Sequence, residues 1–445
     1  MILAVFILLL IILLIIHKKF DQDYTSPSFL FVVGFTICSF VGCLYIKEWS
    51  LETLSFGSLY FLIGGPIIFF IVEKFLRKRK PIVQRSIDVR SNCFVPVSCF
   101  KLILFLGFQI ISFYMFSRFQ ISQGGGTLSE AVAQVNSDFK NEGILVFPPW
   151  YVNIPNQICA ISGYLWACLF SFYLFKKGYF KHKILIFLNF SVSTFGTLLG
   201  GSRMVFLENL IALLIMTFIF YRFKTNWKLN NIPRRIKIYT LLIAIFFGAL
   251  FGQLGALVGR ETSDKIDAGY LFAFYCGAEI KNLDIYITTY KPATENSDYL
   301  LRSSFNGIYK NLSDRGLIKL DKMNSARTDF NTVNGFFLGN VASCYATYYD
   351  DLEYGGLILV LFFSAFMYLL YRRTLNNNFF INGRLNLWII FYVWLAYTPF
   401  MSFFAEEFFR RFTIEGLIRY LFYWWLMIIF LQGTKKTYFN KINNI

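Results

Sequence analysis

The run Leu199-Gly200-Gly201-Ser202-Arg203 joins two apolar stretches and sets a guanidinium at the start of the second. Glycines let a backbone turn tightly and approach another group closely. An arginine beside the unpaired N–H groups of a helix start attracts anions. The other reading of Arg203 is a tightly packed small-residue hairpin whose arginine snorkels to lipid headgroups. Glu208 follows inside the second stretch, with apolar Met204 and Ala212 one helical turn away. An unpaired carboxylate there costs about 2.5 to 3.5 kcal/mol. Glu208 therefore needs a partner from another helix, or a proton, and reads as a structural or supporting carboxylate ahead of a catalytic base. Arg260, after Gly259, opens a long polar stretch either as an interfacial anchor or as a phosphate-binding group. In the charge-dense segment Ala405–Gly416, the spacing of Glu406 to Arg410 and of Glu407 to Arg411 suits i,i+4 ion pairs, extended by Glu415 and Arg419. Adjacent arginines also fork onto the oxygens of a diphosphate, so Arg410 and Arg411 stay candidates for that chemistry.

Histidine is informative by its position. His17 and His182 both fall on basic connectors, away from the segments just named. A general base there is a carboxylate, drawn from Glu208, Glu261, Glu279, Asp284, Asp350 and Asp351, or the reaction runs without strong base assistance. No CxxC pair occurs, so neither a metal site nor a cofactor is expected. Cys276 and Cys344 share the long polar stretch, as a disulfide or as two buried thiols.

The elements that must position these residues are membrane spans. Hydrophobic residues make up 56% of the chain and charged ones 16%, more apolar surface than a soluble core buries, so the class is an all-α polytopic membrane protein. Runs of about 20 apolar residues predict about eleven transmembrane helices. They lie near Ile2–Ile16, Ser28–Ile46, Leu54–Val72, Phe100–Phe116, Ile158–Phe175, Ile184–Leu199, Met204–Phe220, Tyr239–Leu257, Gly355–Tyr371, Leu385–Phe404 and Leu417–Gln432. Lys and Arg crowd one set of short connectors: Lys18 and Lys19, the cluster from Lys74, Lys176 to Lys183, Arg222 to Lys237, Arg372, Arg373, and the tail. That side is cytoplasmic by the positive-inside rule, which puts the N-terminus out and the C-terminus in. The segment Ile2–Ile16 reads as an anchor, not a secretory signal. The net charge of +17 is accounted for by these connectors, which excludes a nucleic-acid partner.

No repeat or linker divides the chain, so 1–445 is expected to be one membrane domain with outer loops at 117–153 and 258–353. The first loop has a Gly124-Gly125-Gly126 tip. In the second, Tyr270 to Tyr290 reads as an amphipathic helix lying on or dipping into the outer leaflet, with Glu279, Lys281, Asn282 and Asp284 on its polar side. Asn189, Ser191, Ser193, Thr194 and Thr197 make the outer half of one span polar, as expected for the lining of an aqueous groove.

This pattern resembles the O-antigen polymerase (Wzy) family, the oligosaccharide repeat-unit polymerases of bacterial cell envelopes. The carriers are Gly200-Gly201-Ser202-Arg203, Gly259-Arg260 before a large outer loop, and Lys281-Asn282-Leu283-Asp284. The return segment from Gly339-Asn340-Val341 through Tyr348-Tyr349-Asp350-Asp351 to Gly355-Gly356 also takes part, with Leu352 and Glu353 where the family has Phe and Gly. The resemblance implies a GT-C-like glycosyltransferase of the bacterial inner membrane, working at its periplasmic face. It would move a growing glycan from undecaprenyl diphosphate onto a new lipid-linked repeat unit. Arg203 and Arg260, with Glu208, would then be the catalytic group, and Arg410, Arg411, Asn282, Asp284, Asn340 and Asp351 would bind substrate. Its partners would be undecaprenyl-diphosphate-linked glycans, membrane lipids and a chain-length regulator protein. Two rivals stand. An O-antigen ligase would look to a histidine in the long loop, which has none. A lipid-linked oligosaccharide flippase would need more ionisable groups within the spans than Glu208.

Overall fold

A computed structural model describes residues 1–79, 96–141, 148–200, 203–225, 268–289, 299–319, 330–376, 379–381 and 383–433. In chain order its helices are α1 (Ile2–Lys19), α2 (Pro27–Leu44), α3 (Phe56–Arg79), α4 (Cys99–Gly124), α5 (Leu128–Asn141), α6 (Trp150–Leu174), α7 (Phe180–Gly196) and α8 (Met204–Lys224). There follow α9 (Ala268–Thr289), α10 (Asn306–Asp314), α11 (Cys344–Leu352), α12 (Leu357–Asn376), α13 (Leu387–Ala396), α14 (Thr398–Met401) and α15 (Ile414–Gln432). Two antiparallel hairpins interrupt them, β1 (Asn331–Val333) with β2 (Phe336–Gly339) and β3 (Phe380–Ile381) with β4 (Arg384–Leu385).

Eight described helical segments are long and apolar enough to cross a membrane, and two shorter apolar ones lie at Leu387–Met401 and Gly416–Gln432. The chain is a predominantly helical, multi-pass membrane protein. The span expected at Tyr239–Leu257 lies outside the described residues. The one expected at Leu385–Phe404 is broken at Tyr397 into α13 and α14. Pro399, in the first turn of α14, has no N–H to continue the preceding helix. The outer loop expected from residue 117 is largely helix, because α4 runs to Gly124 and α5 follows at once. Gly125 and Gly126, at φ 68° and 66°, make the turn between them.

The contacts cluster into two units. Unit 1 comprises Met1–Val83, Gly269–Asn376 and Leu395–Arg419, and unit 2 Gln84–Ala268, Asn377–Trp394 and Tyr420–Ile445. Aromatic rings fill unit 1, with Phe31 stacked on Phe69 at 3.9 Å and Phe363 on Phe408 at 4.2 Å between centroids. In unit 2, Phe105, Trp166, Trp394 and Trp424 are buried.

The basic end of unit 1 is closed by a buried ion cluster that the connectors' charge count does not reveal. Asp23 and Glu73 are each 1% exposed, and the Arg77 guanidinium lies 2.8 Å from the first and 2.7 Å from the second. Asp23 also accepts from the Thr25 and Tyr371 hydroxyls, both at 2.9 Å, and Glu73 from the Ser28 N–H at 2.9 Å and hydroxyl at 2.6 Å. The cluster ties the α1–α2 turn to α3 and α12. Ser26 caps α2 beside it, accepting from the Phe29 N–H, with Pro27 at the first helical position. Arg77→Met would leave two buried carboxylates without their cation and is expected to lower stability by about 3 kcal/mol. Thermal unfolding in detergent checks this, and an unchanged midpoint would refute it.

Between α11 and α12, Glu353 holds φ 50° and ψ −132°, a backbone region that suits glycine. Because such a residue stores on the order of 1 kcal/mol or more of strain, Glu353→Gly is expected to raise the unfolding midpoint. A fall would show that the carboxylate has a role outweighing its backbone strain.

Candidate functional site

At the end of unit 1 where α12 begins, α9 brings its polar residues into contact with the chain. Asp284 accepts from the Ser55 N–H at 2.7 Å, the Ser58 hydroxyl at 2.9 Å and the Lys281 ammonium at 3.2 Å. Burial pushes its carboxyl up, but the Ser55, Ser58 and Lys281 donors outweigh this and hold it below the usual carboxylate range. Asn282 donates to the carbonyls of Leu338 and Val341, both at 2.8 Å, and accepts from Asn331 at 3.0 Å. Glu279 is buried near the Cys38 thiol, and burial pushes its carboxyl well up. The leaflet-lying helix expected at Tyr270 to Tyr290 is therefore corrected: α9 is packed inside unit 1, its polar residues met by protein groups. The β1–β2 hairpin that helps meet them turns at Asn334-Gly335, with φ 51° and 80°. Positive φ at both turn residues is the hairpin preference that makes Asn-Gly a strong sequence signal, here overlooked.

A second latch joins α11 to the stretch before α10. Asp351 accepts from the backbone N–H groups of Ser303 and Ser304, both at 2.8 Å. Its neighbour Asp350 accepts from the Tyr286 hydroxyl at 3.0 Å and, in a short contact, from the Ser303 hydroxyl. Asn340 lies half-buried in the connection from β2 to α11. Cys276 and Cys344 are both free thiols, so the disulfide reading is set aside. Among the described residues, no group of three or more His, Cys, Asp and Glu side chains is placed to hold a metal ion.

The arginine pair stands beside this latch, on a 3-10 turn over Phe409–Arg411. Glu406, spaced to pair with the Arg410 side chain, instead serves the backbone: its carboxylate accepts from the N–H of Phe409 at 2.7 Å and of Arg410 at 3.1 Å. Glu407 lies 4.0 Å from the Arg410 guanidinium at i,i+3. Glu407 also accepts from the Tyr397 hydroxyl at 3.1 Å, and that hydroxyl accepts from Arg411 Nε at 2.7 Å. The Arg411 guanidinium lies 4.4 Å from the Tyr397 ring centroid, a cation–π contact. Arg410, its side chain 72% exposed, points a guanidinium outward from this braced turn. Nothing in the local sequence marks Tyr397, which lies beyond a helix break and reaches Arg411 only through the fold. The side chains of Ile414 and Glu415 lie outside the described residues.

Arg203 and Glu208 belong to unit 2. Arg203 occupies the N-cap position of α8 and is buried, 6% exposed. Glu208 has the partner its burial demands, the Tyr164 hydroxyl of α6 at 2.5 Å. Gly201, Ser202, Gly259, Arg260 and Glu261 lie outside the described residues. The polar side of α7 does not line an open groove. Asn189, Ser193 and Thr194 are buried, with Asn189 donating to Leu102 O at 3.1 Å and Ser193 to Cys159 O at 2.7 Å. Gln109 of α4 joins them through Ser162 at 3.0 Å. Polar side chains in apolar surroundings bind neighbouring helices together, which the one-helix polarity pattern cannot distinguish from a wetted face.

The chain matches no family model, no curated protein and no solved structure.

Burial, reinforced by the like charge of Glu407, pushes the Glu406 carboxyl up to about 8 against the pull of the Phe409 and Arg410 N–H groups. Folding thus favours its neutral form, and its contribution to stability, complete below the ordinary value of 4.5, is lost as pH rises through about 8. Wild type is expected to lose stability relative to Glu406→Gln across that window. Parallel midpoint-versus-pH curves for the two proteins would contradict the assignment.

Proposed function

We propose that this chain is an integral-membrane glycosyltransferase that polymerises undecaprenyl-diphosphate-linked repeat units into a surface polysaccharide at the periplasmic face of the bacterial inner membrane. The observation that carries the reading is the braced arginine turn. Arg410 presents an exposed guanidinium while Glu406 fixes its backbone and Tyr397 holds Arg411 beside it. A lipid-linked donor leaves as a diphosphate, and fixed cations lower the barrier most when aimed at charge that develops only in the transition state. Braced arginines need little reorganisation at that moment.

In this mechanism Arg410 contacts the leaving diphosphate and Arg411 raises the local positive field. Asp284, Asn282 and Asp351 shape the site as scaffold, since their oxygens and amide already serve backbone or serine groups. Glu407 is the carboxylate next to the pair and orients the acceptor hydroxyl. Apart from this site, the family resemblance alone keeps Arg203 and Arg260 as anion-binding candidates and Glu208 as a supporting carboxylate.

The test is made in a deletion host, reading surface polysaccharide on a gel at matched protein levels. Arg410→Ala, with Arg411→Lys as the variant that keeps charge but alters the donor fork, is expected to lower polymerisation by about 10²-fold or more. Capped single units should persist while long chains disappear. An unchanged ladder would exclude the arginine turn, and complete loss of capped product would favour ligation or export instead.

A further inference from the structure

Unit 2 carries a cavity of about 300 Å³ with a wholly apolar lining, between α4, α6 and α15. Its floor is made by Phe105, Tyr423 and Met427, which are buried. The walls are Leu104, Leu426 and Phe430, exposed by 48%, 43% and 40%, so the cavity is a groove open along its side. A dry, apolar groove on a membrane-spanning helix bundle suits hydrocarbon and offers nothing to a polar ligand.

One end of the groove is charged. Lys101 precedes Leu104 and Phe105 by three and four residues, on the same face of α4. Its ammonium donates to Phe430 O at 2.5 Å and Leu431 O at 3.4 Å, the last carbonyls of α15, and lies 5.7 Å from the Phe430 ring centroid. An ammonium has three donors, so one remains for an anion. The same end carries Lys176 after α6, Lys181 and Lys183 in the first turn of α7, and Arg222 and Lys224 in the last turn of α8. The start of α4 joins this collar through the contact of Cys99 with His182, at 3.5 Å.

We infer that the groove binds one acyl chain of an anionic phospholipid, whose headgroup phosphate pairs with Lys101 within the basic collar. Charge complementarity selects the anionic class, because each lysine near a membrane surface attracts such lipids. The site is separate from glycosyl transfer, and it stands or falls without the proposed activity.

The test is native mass spectrometry of the full chain released from nanodiscs of phosphatidylcholine mixed with phosphatidylglycerol. Wild type is expected to retain phosphatidylglycerol in preference to phosphatidylcholine. Lys101→Gln should reduce that preference about fivefold, the factor equivalent to one lysine–lipid attraction. Leu104→Trp, which fills the groove from its exposed wall, should remove the retained lipid while leaving the unfolding midpoint in detergent unchanged. Equal retention of the two lipids by wild type, or undiminished retention by both variants, would overturn the proposal. Displacement of the lipid by a polyprenyl phosphate regardless of Lys101 would overturn it in favour of a prenyl-chain site.

Discussion

A carboxylate removed from water must be met by donors or give up its charge, and unit 1 is organised around that requirement. Asp23 and Glu73 share Arg77; Asp284 takes Ser55, Ser58 and Lys281; Asp351 takes two successive backbone N–H groups; Glu406 takes two more. All of these except the local Glu406 turn join segments far apart in sequence. Removing one partner from such a group leaves the other buried and unsatisfied, which is costlier than never having formed the pair. The acids of this unit therefore act as fasteners for turns and loops that apolar packing alone would leave unspecified.

That use of acids limits what chemistry remains. A carboxylate whose oxygens already accept from backbone or serine groups, as those of Asp351 and Asp284 do, is a poor candidate for drawing a proton from a substrate. The cations divide in the same way. Arg77 is held between two acids and Arg411 against a tyrosine, whereas Arg410 keeps most of its surface. In unit 2, Gln109, Ser162 and Ser193 form a short chain of neutral groups, and Asn209 packs against Gly163, where a β-carbon would lie 2.5 Å from its amide. Only glycine permits that approach.

Helix positions were legible because a spanning helix needs length and apolar character, both of which are one-dimensional properties. Charge asymmetry among the connectors was legible for the same reason. The expected leaflet-lying helix failed because amphipathicity does not say what meets the polar side. For α9 it is a hairpin and the α2–α3 connection, not lipid headgroups. Glu406 turns to the backbone instead of the Arg410 side chain because i,i+4 spacing brings side chains together on an α-helix, and only Phe409–Arg411 here is helical, as a 3-10 turn.

The amino-acid order by itself determined a multi-pass helical chain with basic connectors, and it marked Arg203, Arg260, Arg410 and Arg411 as candidates for anion binding. Which of them is buried, braced or exposed was decided by tertiary contacts, with Tyr397 on Arg411 and Arg203 buried at the head of α8, just as Asp23 holds Arg77. The reason is physical. A guanidinium's attraction for an anion is intrinsic to its type, but whether it faces a ligand or a neighbouring side chain depends on partners elsewhere in the chain, 14 residues away for Arg411 and 54 for Arg77.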